Sequence, residues 1–175
     1  MQSKARLTHS MYLLLQEMPF EKITTQMIID RAGVSKATFY RDFHDKYELM
    51  NWCYQEYVDR LLQKLDSCSW GVVNKEILKF IYDNQNYYTR AIQVDGQNSF
   101  LDFLYRYSLD FCKREYLKRK QIRFLNKEEQ IILEFYSAGS IYTVKKWIER
   151  GFQLSVEEIA ELLFALMPDI MKPLF

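Results

Sequence analysis

The sequence predicts an all-α protein in which a small N-terminal helix-turn-helix domain is followed by a larger helical domain. Two observations carry this prediction. Only 5 glycines and 3 prolines interrupt the 175 residues, and the stretches between them repeat apolar residues at helical spacing. Hydrophobic residues make up 49% of the chain, so it can bury a substantial core as one or two compact domains.

The first predicted helix covers residues 4–18. Its apolar residues Leu7, Met11, Leu14 and Leu15 recur three and four positions apart and so share one face. Pro19 follows and cannot continue a helix. We therefore expect one amphipathic helix that ends at this proline.

Two short helices are predicted next, joined by a tight turn. Thr24 is a suitable N-cap for a second helix that ends at Gly33, and Ser35 is a suitable N-cap for a third helix over 36–43. Two short helices joined by a glycine-containing turn are typical of a helix-turn-helix. The motif is expected at about 24–43.

The third helix is predicted to have two chemically different faces. Phe39 and Phe43 lie four positions apart, point to the same side and are interpreted as core. The opposite side carries hydroxyls, cations and a phenol, which are groups that contact phosphates and base edges. These residues are Ser35, Lys36, Thr38, Tyr40 and Arg41.

Five further helices are predicted from the same periodicity, and the short connection at 150–154 indicates that the last two are antiparallel neighbours. Ser155 and Glu158 have the spacing of a capping box, which places the start of the last helix. The predicted ranges are 45–66, 72–92, 99–120, 126–150 and 155–167.

The segment ITTQMIIDRAGVSKATFYRDFHDKYEL, Ile23 to Leu49, resembles the signature of the TetR family of transcriptional regulators. The resemblance implies a DNA-binding domain over 1–49, an effector-binding and dimerisation domain over 50–175, and double-stranded DNA with an inverted repeat as the partner. A repressor released by an effector is the expected function. The alternative is an activator or adaptor controlled by a protein partner.

The resemblance also implies which residues contact DNA. Phosphate contacts are expected from Ser35, Tyr40 and Lys46, and the base-facing positions are Lys36, Ala37, Thr38 and Arg41, with Thr25 and Gln26 opening the supporting helix. Three residues depart from the family pattern, which often has glycine at position 37, histidine at 42 and proline at 44. The chain has Ala37, Asp42 and His44 there, and these departures leave the operator sequence open.

The segment from Phe135 to Leu163 is similar to the last helix pair of the branch that contains activators of dihydroxyacetone-kinase operons. In the family this pair forms a homodimer. The small residues Ala138, Gly139 and Ser140 would let a second helix approach closely. Apolar area would come from Ile131, Phe135, Tyr142, Ile148, Ile159, Leu162, Leu163 and Leu166.

Aromatic residues are frequent in the second domain, and core packing is their preferred interpretation over an effector pocket. They include Phe80, Tyr82, Tyr87, Tyr88, Phe100, Phe103, Tyr105 and Tyr107. A group of cations is interpreted as a solvated face, with an anionic effector or an acidic partner protein as alternatives. It comprises Arg106, Lys113, Arg114, Lys118, Arg119, Lys120 and Arg123.

Several function classes are excluded. The only histidines are His9 and His44, and no HExxH, GxSxG or phosphate-binding loop occurs, so neither an enzyme nor a cofactor is expected. Cys53, Cys68 and Cys112 are widely spaced and are interpreted as reduced apolar fillers. No segment is apolar enough to span a membrane, which favours a cytoplasmic location. The net charge of +1 means that DNA contacts must come from a local group of cations.

Overall fold

The computed structural model describes residues 2–66, 69–96 and 98–174, where the chain forms nine α-helices and no β-strand. The predicted all-α fold is confirmed. Three short 3-10 helices accompany them at Phe20–Lys22, Gln63–Asp66 and Lys172–Leu174. The α-helices are α1 Gln2–Glu17, α2 Thr25–Ala32, α3 Lys36–Asp42, α4 Lys46–Leu62, α5 Trp70–Asp83, α6 Gln85–Ala91, α7 Phe100–Lys120, α8 Lys127–Glu149 and α9 Val156–Ala165.

Two compact units are formed by the contacts within the chain. The first unit comprises Met1–Arg60 and Asn84–Phe100, and the second comprises Leu61–Asp83 and Leu101–Phe175. The first unit therefore includes α6 as well as α1 to α3 and most of α4. The division into a DNA-binding domain over 1–49 and an effector domain over 50–175 is a division by function and stays a prediction.

The core of the first unit lies between α1, α2 and α3. Leu7, Met11 and Leu15 of α1 are fully buried, which confirms the apolar face predicted for the first helix. Ile28 of α2 and Phe39 of α3 are fully buried as well. The three-helix arrangement thus results from one apolar stripe on each short helix, as the periodicity indicated.

The single helix predicted over 72–92 is wrong, because the structure has α5 and α6 with a break at Asn84. The two halves bury their apolar residues in different units. Val73 and Ile77 of α5 pack in the second unit, and Tyr87 and Tyr88 of α6 pack in the first. One continuous helix presents a single apolar stripe and cannot supply both cores, and the helix is interrupted at Asn84, a residue of low helix propensity.

An aromatic cluster fills the part of the first unit that α6 reaches. Tyr88 lies 5.1 Å from Tyr87 and 5.5 Å from Phe100, measured between ring centroids. Tyr54 contacts Tyr88 and Phe100 edge to face, and the Tyr87 hydroxyl donates to the Met50 carbonyl at 3.0 Å. Burial raises the pKa of the Tyr87 and Tyr88 hydroxyls well above the ordinary range. These aromatic residues are core, as the sequence indicated.

In the second unit, α8 and α9 form an antiparallel pair. The Tyr136 hydroxyl donates to the Leu163 carbonyl at 3.0 Å, and the Trp147 indole N–H donates to the Leu154 carbonyl at 2.8 Å. Trp147 comes later in α8 than Tyr136, but its partner Leu154 comes earlier in the chain than Leu163. This is the predicted antiparallel direction. The capping box predicted at the start of α9 is present, and a second one begins α8 at Asn126.

The described cysteines are small apolar fillers, as predicted. Burial raises the pKa of the Cys53 thiol to about 12 and that of Cys112 to about 11, so both stay protonated at neutral pH. Cys68 lies outside the described residues. In the described ranges, no helix has the length and apolar character that crossing a membrane requires.

Candidate DNA-binding site

The amino end of α2 is built by Thr24. Its hydroxyl accepts a hydrogen bond from the Met27 amide at 3.2 Å, which confirms the predicted N-cap. Thr25 and Gln26 therefore form the first turn of α2, with Thr25 half-buried and Gln26 exposed. The Gln26 amide nitrogen donates to an Asp30 carboxylate oxygen at 2.7 Å. Both candidate residues thus lie together at the start of the supporting helix.

The turn between α2 and α3 depends on Gly33. Its φ of +59° lies in the left-handed region, and its amide donates to the carbonyls of Ile29 and Asp30, so the predicted helix exit is confirmed. Val34 adds a second turn bond to the Ile29 carbonyl at 3.3 Å. Arg6 of α1 reaches across and donates to the Gly33 carbonyl at 3.1 Å. A long-range contact therefore holds the turn that sets the angle between the two helices.

Helix α3 has the two faces that the sequence predicted. The Ser35 hydroxyl accepts from the Thr38 amide at 3.0 Å and caps the helix. Phe39 on the inner face is fully buried, so the outer face is turned away from the core. Lys36, Ala37, Tyr40 and Arg41 are exposed there, and Thr38 is half-buried beside them.

The outer face offers several kinds of hydrogen-bonding group within one helical turn. The Ser35 and Thr38 hydroxyls lie 2.9 Å apart, and each hydroxyl has one donor and two acceptor positions, so capacity remains for a phosphate or a base edge. The Lys36 ammonium lies 6.0 Å from the Tyr40 ring centroid, and Tyr40 is 48% exposed. A short helix with this face has the chemistry of a helix that reads a major groove.

Arg41 is held by its neighbour Asp42. Its Nε and Nη2 atoms donate to the two carboxylate oxygens at 3.1 and 3.0 Å, in the side-on bidentate geometry. Ser3 of α1 joins the pair, since its hydroxyl donates to Asp42 at 2.8 Å and accepts from Arg41 at 3.2 Å. Both donors lower the pKa of the Asp42 carboxyl, which is therefore ionised at neutral pH.

Lys46 lies at the first position of α4 and bonds to the chain before α2. Its ammonium donates to the carbonyls of Phe20 at 2.9 Å and Ile23 at 2.7 Å and lies 4.3 Å from the Phe20 ring centroid. Partial burial lowers the pKa of this ammonium. An ammonium has three donors, so one further donor is available for the phosphate contact that the family resemblance implies.

Three long-range contacts of α1 with the candidate site and its surroundings could not be found from the sequence. Ser3 bonds the Arg41–Asp42 pair, Arg6 bonds the turn, and Lys4 places its ammonium 4.0 Å from the Trp52 ring centroid. Each pairs residues 27 or more positions apart, and no spacing rule connects them. Only the position of these polar residues, just before the apolar stripe of α1 begins at Leu7, could have drawn attention to them.

Two family profiles match the chain. A family profile described as "Bacterial regulatory proteins, tetR family" matches residues 13–52. A second profile, described as "Transcriptional regulator C-terminal region", matches residues 69–169. Together the two matches include the helix-turn-helix and all of α5 to α9.

Individual relatives agree with the two profiles. The chain is 23% identical over 156 residues to the HTH-type dhaKLM operon transcriptional activator DhaS of Lactococcus lactis subsp. lactis, covering 87% of this chain and 83% of that protein. A solved dihydroxyacetone kinase operon activator DhaS superposes with a TM-score of 0.66 at 19% identity, over 94% of this chain and 96% of that chain. A TetR transcriptional regulator from Streptococcus agalactiae 2603V has a TM-score of 0.66 at 23% identity, over 94% and 93%. The overall fold is therefore shared with these structures.

Proposed function

The chain belongs to the TetR family of bacterial transcriptional regulators, and from this premise we propose that it binds an inverted-repeat operator as a homodimer. Like the rest of its family it is a regulator and not an enzyme. In the proposal each protomer inserts α3 into a major groove, and α2 crosses the backbone beside it. Bacterial DNA lies in the cytoplasm, so the proposal also includes a cytoplasmic location.

The outer face of α3 is the observation that carries this proposal. Lys36, Ala37, Tyr40 and Arg41 are exposed on a helix whose opposite side is anchored by the buried Phe39. The Ser35 cap and the left-handed Gly33 fix where this helix begins. A rigid helix with cations and small polar groups outward can satisfy phosphates and base edges together, which sequence reading requires.

Each candidate residue has a distinct role in the proposal. Ser35, Tyr40 and Lys46 position the protein through phosphate contacts, which carry affinity and salt dependence. Lys36, Ala37, Thr38 and Arg41 face the base edges, and Thr25 and Gln26 support them from the start of α2. All of these residues lie in the first unit, which therefore contains the whole proposed recognition surface.

The homodimer is proposed to form through α8 and α9. Ile131, Phe135 and Tyr142 lie four and seven positions apart on one side of α8 and are 65%, 80% and 59% exposed. Leu162 of α9 and Leu166 at its C-cap form a similar exposed pair. Contiguous exposed apolar residues of this size mark interaction surfaces, and two such helices per protomer would build a symmetric four-helix contact.

Some residues expected in this contact are buried within the protomer. Ile148, Ile159 and Leu163 have exposed fractions of 1%, 1% and 5%, so they belong to the core of the second unit and are unable to reach a second copy. Gly139 has the opposite property, because an added Cβ would meet no atom within 4 Å. The open space beside this glycine supports the close helix approach that was expected there.

An effector, either a small molecule or a protein, is a further part of the proposal. A groove of about 400 Å³ lies between α5 and α9 in the second unit, and this volume is in the range of small-molecule sites. It is lined by Ser69, Gly71, Lys75, Glu157, Ala160, Glu161, Phe164 and Ala165. In a thermal-shift screen, compounds that stabilise the wild type but not Phe164→Asp bind this groove, and compounds that stabilise both proteins bind elsewhere.

Activation is the second candidate function, beside repression. The relative that matches 87% of this chain is named a transcriptional activator, and so is one of the solved structures. A promoter fused to the selected operator decides between the two candidates, because the protein lowers transcription if it represses and raises transcription if it activates.

The proposed function is tested by selecting bound sequences from random duplex DNA with the purified full-length protein. We expect an enriched inverted repeat whose half-sites are separated by about one helical turn or a multiple of it. A single enriched half-site would support reading by α3 and contradict the dimer. Failure to enrich any sequence would overturn the proposal and favour the adaptor that acts through proteins alone.

A further inference from the structure

The base-facing Arg41 does not project freely into solvent. Its guanidinium forms three hydrogen bonds, two to Asp42 and one to Ser3. The Ser3 hydroxyl also donates to Asp42, so the three side chains form a closed triangle. Asp42 is the more buried partner of the ion pair, because its side chain is 13% exposed and that of Arg41 is 64% exposed.

This triangle restricts the orientation of the guanidinium. An arginine has five N–H donors in one plane, and the bonds to Asp42 and Ser3 use Nε–H and both N–H groups of Nη2. The two N–H groups of Nη1 remain for DNA. A guanidinium fixed in this way presents a defined donor edge and loses less conformational entropy when it meets a base.

The same carboxylate has a second, opposite effect on DNA binding. Asp42 is a negative charge at the end of the helix that would enter the major groove, where it repels phosphates. It also pairs with the Arg41 guanidinium, whose charge an unpaired arginine would offer to a phosphate. Asp42 therefore lowers affinity for any DNA while it orients the group that discriminates between bases.

We propose that Asp42 and Ser3 are positioning residues that set operator specificity by holding Arg41 in its base-reading orientation. The inference rests on the proposed function, since it requires that α3 reads DNA. In this account Asp42 weakens binding to DNA of any sequence and strengthens the preference for the operator. Ser3 lies in the first turn of α1, so this turn also contributes to operator specificity, although Ser3 itself does not touch a base.

The decisive variant is Asp42→Asn, measured by titration against the selected operator and against random DNA. An amide keeps the size of the side chain but removes its charge and the ion pair. We expect tighter binding to random DNA and a ratio of random-to-operator Kd that falls at least about fivefold. Repeating the sequence selection with this variant should lose preference at the same base position that Arg41→Ala loses.

Two further variants distinguish the positioning of Arg41 from the effect of the Asp42 charge on DNA binding. In an Arg41→Ala background, Asp42→Asn should still tighten binding to random DNA but leave the Kd ratio unchanged, because no arginine remains to be oriented. Ser3→Ala keeps every charge and should lower the ratio by a smaller factor. Circular dichroism shows whether each variant is folded.

The outcomes distinguish the inference from the proposed function. If Asp42→Asn tightens operator and random DNA by the same factor, or changes neither, Asp42 is not a positioning residue and the inference is overturned. If the wild type shows no preference for any sequence, the proposed function itself fails. A Kd ratio that falls for Asp42→Asn and Ser3→Ala in the wild type, but not in Arg41→Ala, supports the inference.

Discussion

At the scale of single residues, Gly33 shows how one backbone conformation orients two helices. Its φ is +59°, and an added Cβ would lie 2.6 Å from Nη2 of Arg6, the side chain that bonds the Gly33 carbonyl. An alanine would therefore be strained in its backbone and would displace the Arg6 contact. The residue matters because no other position in the turn adopts the left-handed region.

We expect Gly33→Ala to reduce the free energy of unfolding by about 1–2 kcal/mol, the cost of the left-handed conformation for an L-residue. Urea unfolding followed by circular dichroism measures it. Gly71→Ala is the matched control, since Gly71 lies in α5 with negative φ and its nearest neighbour for an added Cβ is 3.9 Å away. Equal stabilities of the two variants would contradict the account of the turn.

Lys46 is expected to contribute to stability as well as to DNA binding. Its ammonium satisfies the carbonyls of Phe20 and Ile23, and hydrogen bonds from a charged donor contribute about 1.5–3 kcal/mol. Lys46→Ala should therefore lower the unfolding free energy by about 2 kcal/mol, besides weakening operator and random DNA alike. Lys22→Ala, at an exposed lysine of the preceding 3-10 helix, should change stability by less than about 0.5 kcal/mol. A stable Lys46→Ala protein would show that this ammonium acts on DNA alone.

The sequence predicted local features of the site but not its long-range bonds. Thr24, Gly33 and Ser35 were correctly assigned, because caps and left-handed exits depend on residues three or four positions apart. The contacts of Ser3 and Arg6 depend on where α1 packs, and periodicity alone contains no information about it. The role of each candidate residue at DNA stays a prediction.

At the scale of elements, the break between α5 and α6 is the main departure from the sequence prediction. The apolar residues of 72–92 suggest one helix, yet Ile77 and Leu78 pack in one unit and Tyr87 and Tyr88 in the other. A local pattern cannot show which core a residue enters. Arg90 of α6 donates to the Leu15 carbonyl at 2.6 Å, in the last turn of α1. The short helix α6 therefore stabilises the end of α1.

The capping box of α8 makes stability depend on pH. The Asn126 amide, with smaller contributions from Tyr116 and Lys120, lowers the pKa of Glu129 below its ordinary value of 4.5. A carboxyl whose pKa is lower in the folded state stabilises the protein fully above its unfolded pKa, and this contribution is lost as pH falls through the folded pKa. The wild type should therefore lose stability below about pH 4.5.

Glu129→Gln tests this origin of the pH dependence. The variant should be less stable than the wild type at pH 7 and should lose less stability on acidification to pH 3, because it has no carboxylate to protonate. Thermal unfolding at several pH values measures both effects. Parallel stability curves for the two proteins would show that the Asn126–Glu129 bond contributes nothing to the acid sensitivity.

At the scale of the whole molecule, the proposed homodimer would bring two copies of α3 to one operator. Ile131, Phe135 and Tyr142 expose an apolar stripe that a second copy would cover, and Gly139 lies within the same stretch of α8. Gly139→Arg would place a long cation in that contact, where it would be desolvated without a partner. We expect the wild type to have the mass of two chains at micromolar concentration and Gly139→Arg the mass of one.

Light scattering gives these masses directly. Gln153→Arg adds the same cation at an exposed position of the α8–α9 connection, outside the apolar stripe, and should remain dimeric. A wild type with the mass of one chain would contradict the dimer. A dimeric Gly139→Arg protein would place the contact elsewhere on the surface.

In the proposed function α3 reads DNA sequence, and titration of Thr38→Ala against operator and random DNA at several salt concentrations tests this role most directly. Thr38 is half-buried on the outer face of α3 and carries no charge, so its loss should leave the salt dependence unchanged. We expect operator binding to weaken by about 1–3 kcal/mol while random DNA binds as before. If the folded variant binds both DNAs as the wild type does, and Lys36→Ala and Arg41→Ala do the same, α3 is not the element that reads DNA.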